Sequence, residues 1–156
     1  MRQRREENHM ADTIAEEFFE KGRTFLKEDN TLAALSCFEK AYSRAKLPGI
    51  QSYLGLCLAV ERGQVKEGIA LCREAIAEDG GNSVHYLHYG RIYLREKKRE
   101  EAIDIFRQGL SCEDNEEIRN ILDTLGTRKK PLFPFLPRKH FLNKFSGKLL
   151  RLIRLR

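Results

Sequence analysis

The 156-residue sequence has no tryptophan and only four prolines, three of them crowded between residues 131 and 137. The fourth, Pro48, suits the first turn of a helix, where its missing N–H costs nothing. Nothing else in the first 130 residues carries proline's bar to a helix. No stretch approaches the ~20 consecutive apolar residues of a helical membrane span. No C-x-x-C pair occurs: Cys37, Cys57, Cys72 and Cys112 are irregularly spaced, which excludes the usual zinc and dithiol patterns. They read as reduced packing residues in a reducing compartment. The basic start Met1-Arg2-Gln3-Arg4-Arg5 is followed by Glu6-Glu7-Asn8-His9 instead of an apolar run, so no secretory signal is read and a cytoplasmic location is expected.

Catalytic patterns are missing as well. His85-x-x-His88 lacks the glutamate of H-E-x-x-H and any third ligand, so the two histidines read as surface or interhelical residues. Ser146-Gly147-Lys148 has no glycine-rich strand–loop before it. No spacing orders a cysteine or serine with a histidine as nucleophile and base. The expectation is a non-enzymatic protein with no cofactor and no metal.

What the chain does contain is a threefold recurrence. Gly22, Gly55 and Gly90 lie 33 and 35 residues apart and share their surroundings. The first copy reads Phe18-x-x-Lys21-Gly22-x-x-Phe25 and then Ala34-x-x-x-Phe38. The second reads Gln51-x-x-Leu54-Gly55-x-x-Leu58 and then Gly68-x-x-x-Cys72. The third reads Tyr86-x-x-Tyr89-Gly90-x-x-Tyr93 and then Ala102-x-x-x-Phe106. Small residues permit two backbones to approach; large ones fill the space beside them. The second copy departs most: Gln51 replaces an aromatic, Gly68 and Cys72 replace alanine and phenylalanine, and one extra residue precedes Gly68.

Helix signals fit these copies. Thr13-Ile-Ala-Glu16 predicts a capping box. Asn30-Thr31 and Asn82-Ser83 predict N-caps. Gly63 predicts a left-handed helix end. Ile118, Ile121, Leu122 and Leu125 form one apolar stripe behind acidic Glu113, Asp114, Glu116 and Glu117, predicting a terminal helix that Gly126 stops.

Over roughly residues 13–110 the chain resembles the tetratricopeptide repeat family, whose period is about 34 residues. The resemblance implies an all-α solenoid of three helix pairs, closed by a capping helix to about residue 125. It also implies a protein–protein interaction or scaffold module whose concave groove is lined by the first helix of each pair. The groove positions it transfers are Glu16, Phe19, Arg23, Leu26 and Lys27; Ser52, Leu56, Ala59 and Val60; and Val84, Leu87, Arg91, Leu94 and Arg95. Of these, Phe19, Arg23, Leu26, Lys27, Leu56, Leu87, Arg91, Leu94 and Arg95 are the candidate binding residues. Apolar in the middle and basic at both ends, they suit a peptide or protein partner with apolar anchors and acidic groups. The family's clamp for a C-terminal carboxylate uses lysine and asparagine where this chain has Phe19 and Arg23, so chaperone-tail binding is not expected.

The ends read differently. Residues 1–12 read as a flexible leader, with Met1 and Met10 both open as the start. The solenoid with its capping helix spans 13–126, a proline-rich linker 127–139 and a basic amphipathic tail 140–156. Ten of the 29 basic residues follow Asp123 and no acid does, so the rest holds 19 basic against 23 acidic residues. In the tail Phe141, Phe145, Leu149 and Leu152 gather on one helical arc that also contains Lys148, while Arg151 and Arg154 lie opposite. Three readings stay open. The tail is a helix packed on the solenoid, an anchor on an anionic membrane surface, or a docking element for another protein or, least expected, nucleic acid. The second makes the alternative function a peripheral membrane adaptor at the inner membrane face.

Overall fold

The computed structural model describes the backbone of residues 2–125 and the side chains of Met10 and residues 12–125. Among the described residues there are seven helices and no strand: α1 (Arg2–Lys27), α2 (Thr31–Arg44), α3 (Pro48–Glu61), α4 (Val65–Glu78), α5 (Ser83–Arg95), α6 (Arg99–Cys112) and α7 (Glu116–Thr124). None of them is long and apolar enough to cross a membrane. The proline-rich linker and the tail with Phe141, Phe145, Lys148, Leu149, Arg151, Leu152 and Arg154 lie outside the described residues.

The helices pair as α1 with α2, α3 with α4 and α5 with α6, and α7 packs on α6. The recurring glycines sit at the crossings. A Cβ on Gly22 would lie 2.6 Å from Phe38 Cε1, and one on Gly90 would enter the Phe106 ring. In the middle pair no ring intervenes, because Cys72 stands in the phenylalanine position. There a Cβ on Gly55 would lie 2.6 Å from the carbonyl oxygen of Gly68, and a Cβ on Gly68 would strike that of Gly55. The two departures of the second copy are thus complementary: a glycine on each helix and a small thiol let backbone meet backbone.

The turns inside the pairs share one device. The N–H of Asn30 bonds back to the carbonyl of Phe25 and that of Lys98 to Tyr93, each across five residues. In the second pair Gln64 N–H bonds to Leu58 across six. Phe25, Leu58 and Tyr93 each lie three residues after the recurrent glycine, so the extra residue of the second copy is absorbed in its turn. Each turn also holds one left-handed residue: Asp29 (φ 58°), Gly63 (φ 66°) and Lys97 (φ 59°). Only the second copy places glycine there.

Asn30 Oδ1 accepts from Ala33 N–H and Asn82 Oδ1 from Val84 N–H, so both expected N-caps are present. The expected capping box is not. Thr13-Ile-Ala-Glu16 lies inside α1, which runs from Arg2, and the leader is helical. Residues 2–12 contain neither proline nor glycine, and their Arg, Gln, Glu, Met and Ala favour continuation of the helix over a cap at Thr13. In the terminal helix Asn115 Oδ1 caps Ile118 N–H, and Ile118 is fully buried while Ile121, Leu122 and Leu125 are half-buried.

Two stability outcomes follow. Gly90→Leu should lower stability by about 1–3 kcal/mol or more through overpacking against Phe106. Gly81→Ala, with nothing within 4 Å of the added Cβ, should change it little. Equal melting temperatures for the two would refute this crossing. Lys97→Gly should raise stability by about 0.5–1 kcal/mol, because relief of left-handed strain exceeds the entropy glycine adds to the unfolded chain. A lowered denaturation midpoint would count against the turn.

Candidate functional site

The α3 helix packs on α5, while no comparable packing joins α2 to α4 or α4 to α6. The first helices of the second and third pairs are therefore neighbours, and their side turned away from α4 and α6 is the candidate concave face. A row of rings, one from each first helix, runs inward from it: Phe19 and Tyr53 are half-buried and His88 is buried. Phe19 of α1 meets Tyr53 of α3 edge-on, centroids 5.3 Å apart, and Tyr53 meets His88 of α5 at 4.2 Å. Phe38 of α2 supports the row from behind, 5.9 Å from Phe19 and 5.2 Å from Tyr53. Such contacts add about 0.5–1.5 kcal/mol each beyond area burial.

Arginines flank the row. The Arg23 guanidinium lies 5.8 Å above the Phe19 ring and donates to Glu20 Oε1 at 2.7 Å. That bond, with lesser help from Tyr53, raises its already high pKa. Arg91 donates to Glu117 of α7. Arg95 donates to the Val60 carbonyl at 2.7 Å, on the last turn of α3, where a cation suits the helix dipole. Both ion pairs are exposed: side-chain exposure is 40% and 54% for Arg23–Glu20, and 39% and 50% for Arg91–Glu117. Pairs of this kind are worth only ~0–1 kcal/mol.

The other positions divide. Lys27 and Glu16 are exposed, and Leu26, Val60, Val84 and Leu94 are half-buried. Leu26 packs on the cluster around Phe38. Leu56 is buried with Ala59, Cys72 and Ile92, so it belongs to the core between α3, α4 and α5. Leu87 and Ser52 are buried too. Tyr53, half-buried, was not among the expected groove residues. It lies two positions before Gly55 and three before Leu56, and an i, i+3 step from a residue already placed in the groove would have found it.

Behind the row lies a buried polar chain. Ser52 Oγ is 2.9 Å from His85 Nδ1 and 3.2 Å from His88 Nδ1. His85 Nε2 is 3.3 Å from Asp79 Oδ2. His85 is 0% and His88 2% exposed, so both histidines are interhelical and neither is a surface residue. A serine holds one proton and two lone pairs. One neutral assignment satisfies all three contacts: His88 Nδ1–H donates to Ser52, Ser52 O–H donates to His85 Nδ1, and His85 Nε2–H donates to Asp79. The order Asp79–His85–Ser52 has the connectivity of a hydrolytic relay. The Ser52 hydroxyl is fully buried, however, and no substrate can reach it in this arrangement.

Cys37, Cys57 and Cys72 are buried and Cys112 is exposed. Burial pushes the Cys57 and Cys72 thiols up to about 12, away from the reactive thiolate. Among the described residues no three His, Cys, Asp or Glu side chains lie together as a metal site.

The same architecture recurs in known proteins. The tetratricopeptide repeat family model matches residues 59–124. Solved tetratricopeptide domains share the fold. The first such domain of Spaghetti (RPAP3), bound to the HSP90 peptide SRMEEVD, is 21% identical, with 73% of this chain and 94% of that one covered at a TM-score of 0.60. The Arabidopsis OM64 domain is 19% identical, with 76% and 98% covered at 0.61. The TPR2B domain of yeast Sti1, in complex with pHsp70, is 20% identical, with 72% and 93% covered at 0.58. No curated protein sequence matches the chain. Residues 59–124 thus match the tetratricopeptide repeat model, and the described residues share the fold of solved tetratricopeptide domains.

The ring row has a direct check. Tyr53→Ala should destabilise the protein by about 2–3 kcal/mol, because Phe19, Phe38 and His88 all lose a packing partner. Tyr53→Phe should leave the denaturation midpoint close to wild type. Equal effects of the two substitutions would mean that the hydroxyl, not the ring, matters.

Proposed function

We propose that the repeat unit binds an extended or helical segment of another protein across its concave face, with catalysis playing no part. The row Phe19–Tyr53–His88, flanked by Arg23 and Arg91, is the observation that carries this reading. Phe19 and Tyr53 are half-buried and offer ring surface for apolar anchors, together with Leu26 and Leu94. Arg23 and Arg91 hold exposed, weak ion pairs, so an acidic side chain of the partner can take the place of Glu20 or Glu117. Lys27 adds a further cation at the α1 end.

Two of the similar domains were solved with chaperone-derived ligands, one of them the acidic peptide SRMEEVD. That supports a peptide partner. It does not extend to the same peptide, since Phe19 and Arg23 stand where the carboxylate clamp needs lysine and asparagine. The partner class is therefore a segment combining apolar and acidic residues, without a required free C-terminus.

Selection of peptides from a random display library on the full chain tests this. Enriched sequences should combine Asp or Glu with bulky apolar residues and should bind more tightly than SRMEEVD. Arg23→Gln with Arg91→Gln removes only exposed pairs and should leave the fold intact. It should weaken a selected peptide about three- to tenfold, less so at high salt. Equal affinity for wild type and double variant, or enrichment without acids, would sink the reading.

A further inference from the structure

The chain Asp79–His85–Ser52–His88 does more than fill space. It is the polar seam between the second and third repeats: Ser52 belongs to α3, His85 and His88 to α5, and Asp79 to the loop before α5. Cys72 of α4 donates its thiol to the Ser52 carbonyl at 3.7 Å. We propose that this seam is a proton-operated latch: at neutral pH the hydrogen-bond chain holds α3 against α5, and acid opens the contact by protonating a buried imidazole.

The geometry sets how many protons the seam accepts. In the neutral chain every donor has an acceptor. A proton added to His85 Nδ1 faces the Ser52 hydroxyl hydrogen, so that hydrogen must turn away. The Gly49 carbonyl, 3.2 Å from Ser52 Oγ, can take it. Ser52 then accepts from both imidazoles and a charged His85 pairs with Asp79. One proton is accommodated. A second has no place. The His88 ring is covered on one side by Tyr53 and has no carboxylate beside it. The nearby charges are unfavourable or committed. Arg91 repels a cation on His88 and is paired with Glu117, while Glu113 is held by Ser83 at the start of α5. Protonated His88 must leave the seam to be solvated.

Burial shifts both imidazoles the same way. It lowers His85, with Asp79 pulling partly back, and it lowers His88 to about 3, with Arg91 and His85 adding to the effect. An exposed histidine titrates near 6.5. Between those limits the open state binds more protons than the closed one. The latch is therefore intact above about pH 6.5 and weakens as pH falls below it. Opening would break the row at the Tyr53–His88 contact, so the latch bears on the face proposed above. It is nevertheless defined without any partner.

Amide hydrogen exchange on the full chain, corrected for intrinsic rates, tests it at pH 7.5 and 5.0. One latched imidazole should raise the opening constant of α5 about thirtyfold over that interval. Amides of α1 and α2 should change much less. His85→Gln with His88→Gln should abolish the difference. Should that variant fail to fold, the wild-type imidazole resonances decide: His88 should stay neutral to pH 5 in the closed protein. The latch is overturned by α5 protection that holds within twofold, by an equal fall across α1 and α2, by an undiminished fall in the double variant, or by a His88 midpoint near 6.5 with α5 still protected. None of these outcomes alters the peptide-binding result, and a failure of peptide binding leaves the latch standing.

Discussion

The distance at which the two helices of each pair cross is the constraint on which the rest of the structure depends. It is set three times by a glycine on the first helix. In the outer pairs Gly22 and Gly90 leave room for the rings of Phe38 and Phe106, so the gap is filled by an aromatic knob. In the middle pair Gly55 and Gly68 bring backbone onto backbone. Interiors pack as densely as organic crystals, so neither solution tolerates an extra methyl without displacement. A shift at one crossing would move a whole helix and, with it, every side chain that helix presents to the concave face.

The face inherits its order from those crossings. The first helices come close enough for Phe19 to touch Tyr53 and Tyr53 to touch His88, which gives one continuous row of rings. The arginines beside the row are positioned by short-range pairs that solvent weakens, whereas the rings are held by packing. This division suits recognition. Rigid aromatic surface supplies contact at little entropy cost, and exchangeable charges supply specificity and steering.

The repeat register was legible because it rests on local volume. Glycine, alanine and aromatic residues at fixed spacing state where helices approach, and the structure places Gly22, Gly55 and Gly90 at those crossings. The N-caps at Asn30 and Asn82 were legible for the same reason: each is a bond within one turn. The start of α1 was not. A capping box states a preference, and at Thr13 no helix-breaking residue before it enforces that preference. The concave face was legible only in outline. Leu56 and Leu87 were transferred by alignment as groove residues, and both are buried. Tyr53 was passed over although it sits at the centre of the row. Which side of an inner helix meets solvent depends on how far the neighbouring pair is rotated, a property of two crossings at once. The link from Ser52 to His85 and His88 spans 33 and 36 residues and left no trace in local pattern.

The middle repeat shows why its departures from the family pattern belong together. Replacing the aromatic at residue 51 by glutamine puts an amide into the core with its Oε1 unpaired, an orphan that costs about 1–3 kcal/mol. One position later the Ser52 hydroxyl, within reach of the Gly49 carbonyl in its own helix, also meets His85 and His88. Those two residues find in Ser52 the partner that a buried imidazole needs. The second repeat thus gives up aromatic filling on its own account and is tied to the third by hydrogen bonds. Apolar contacts are indifferent to small rotations of one pair on the next; a shared hydroxyl is not, since both imidazoles must reach one oxygen. The seam therefore fixes the angle between the second and third repeats more sharply than packing alone, and that angle decides whether His88 completes the row begun by Phe19.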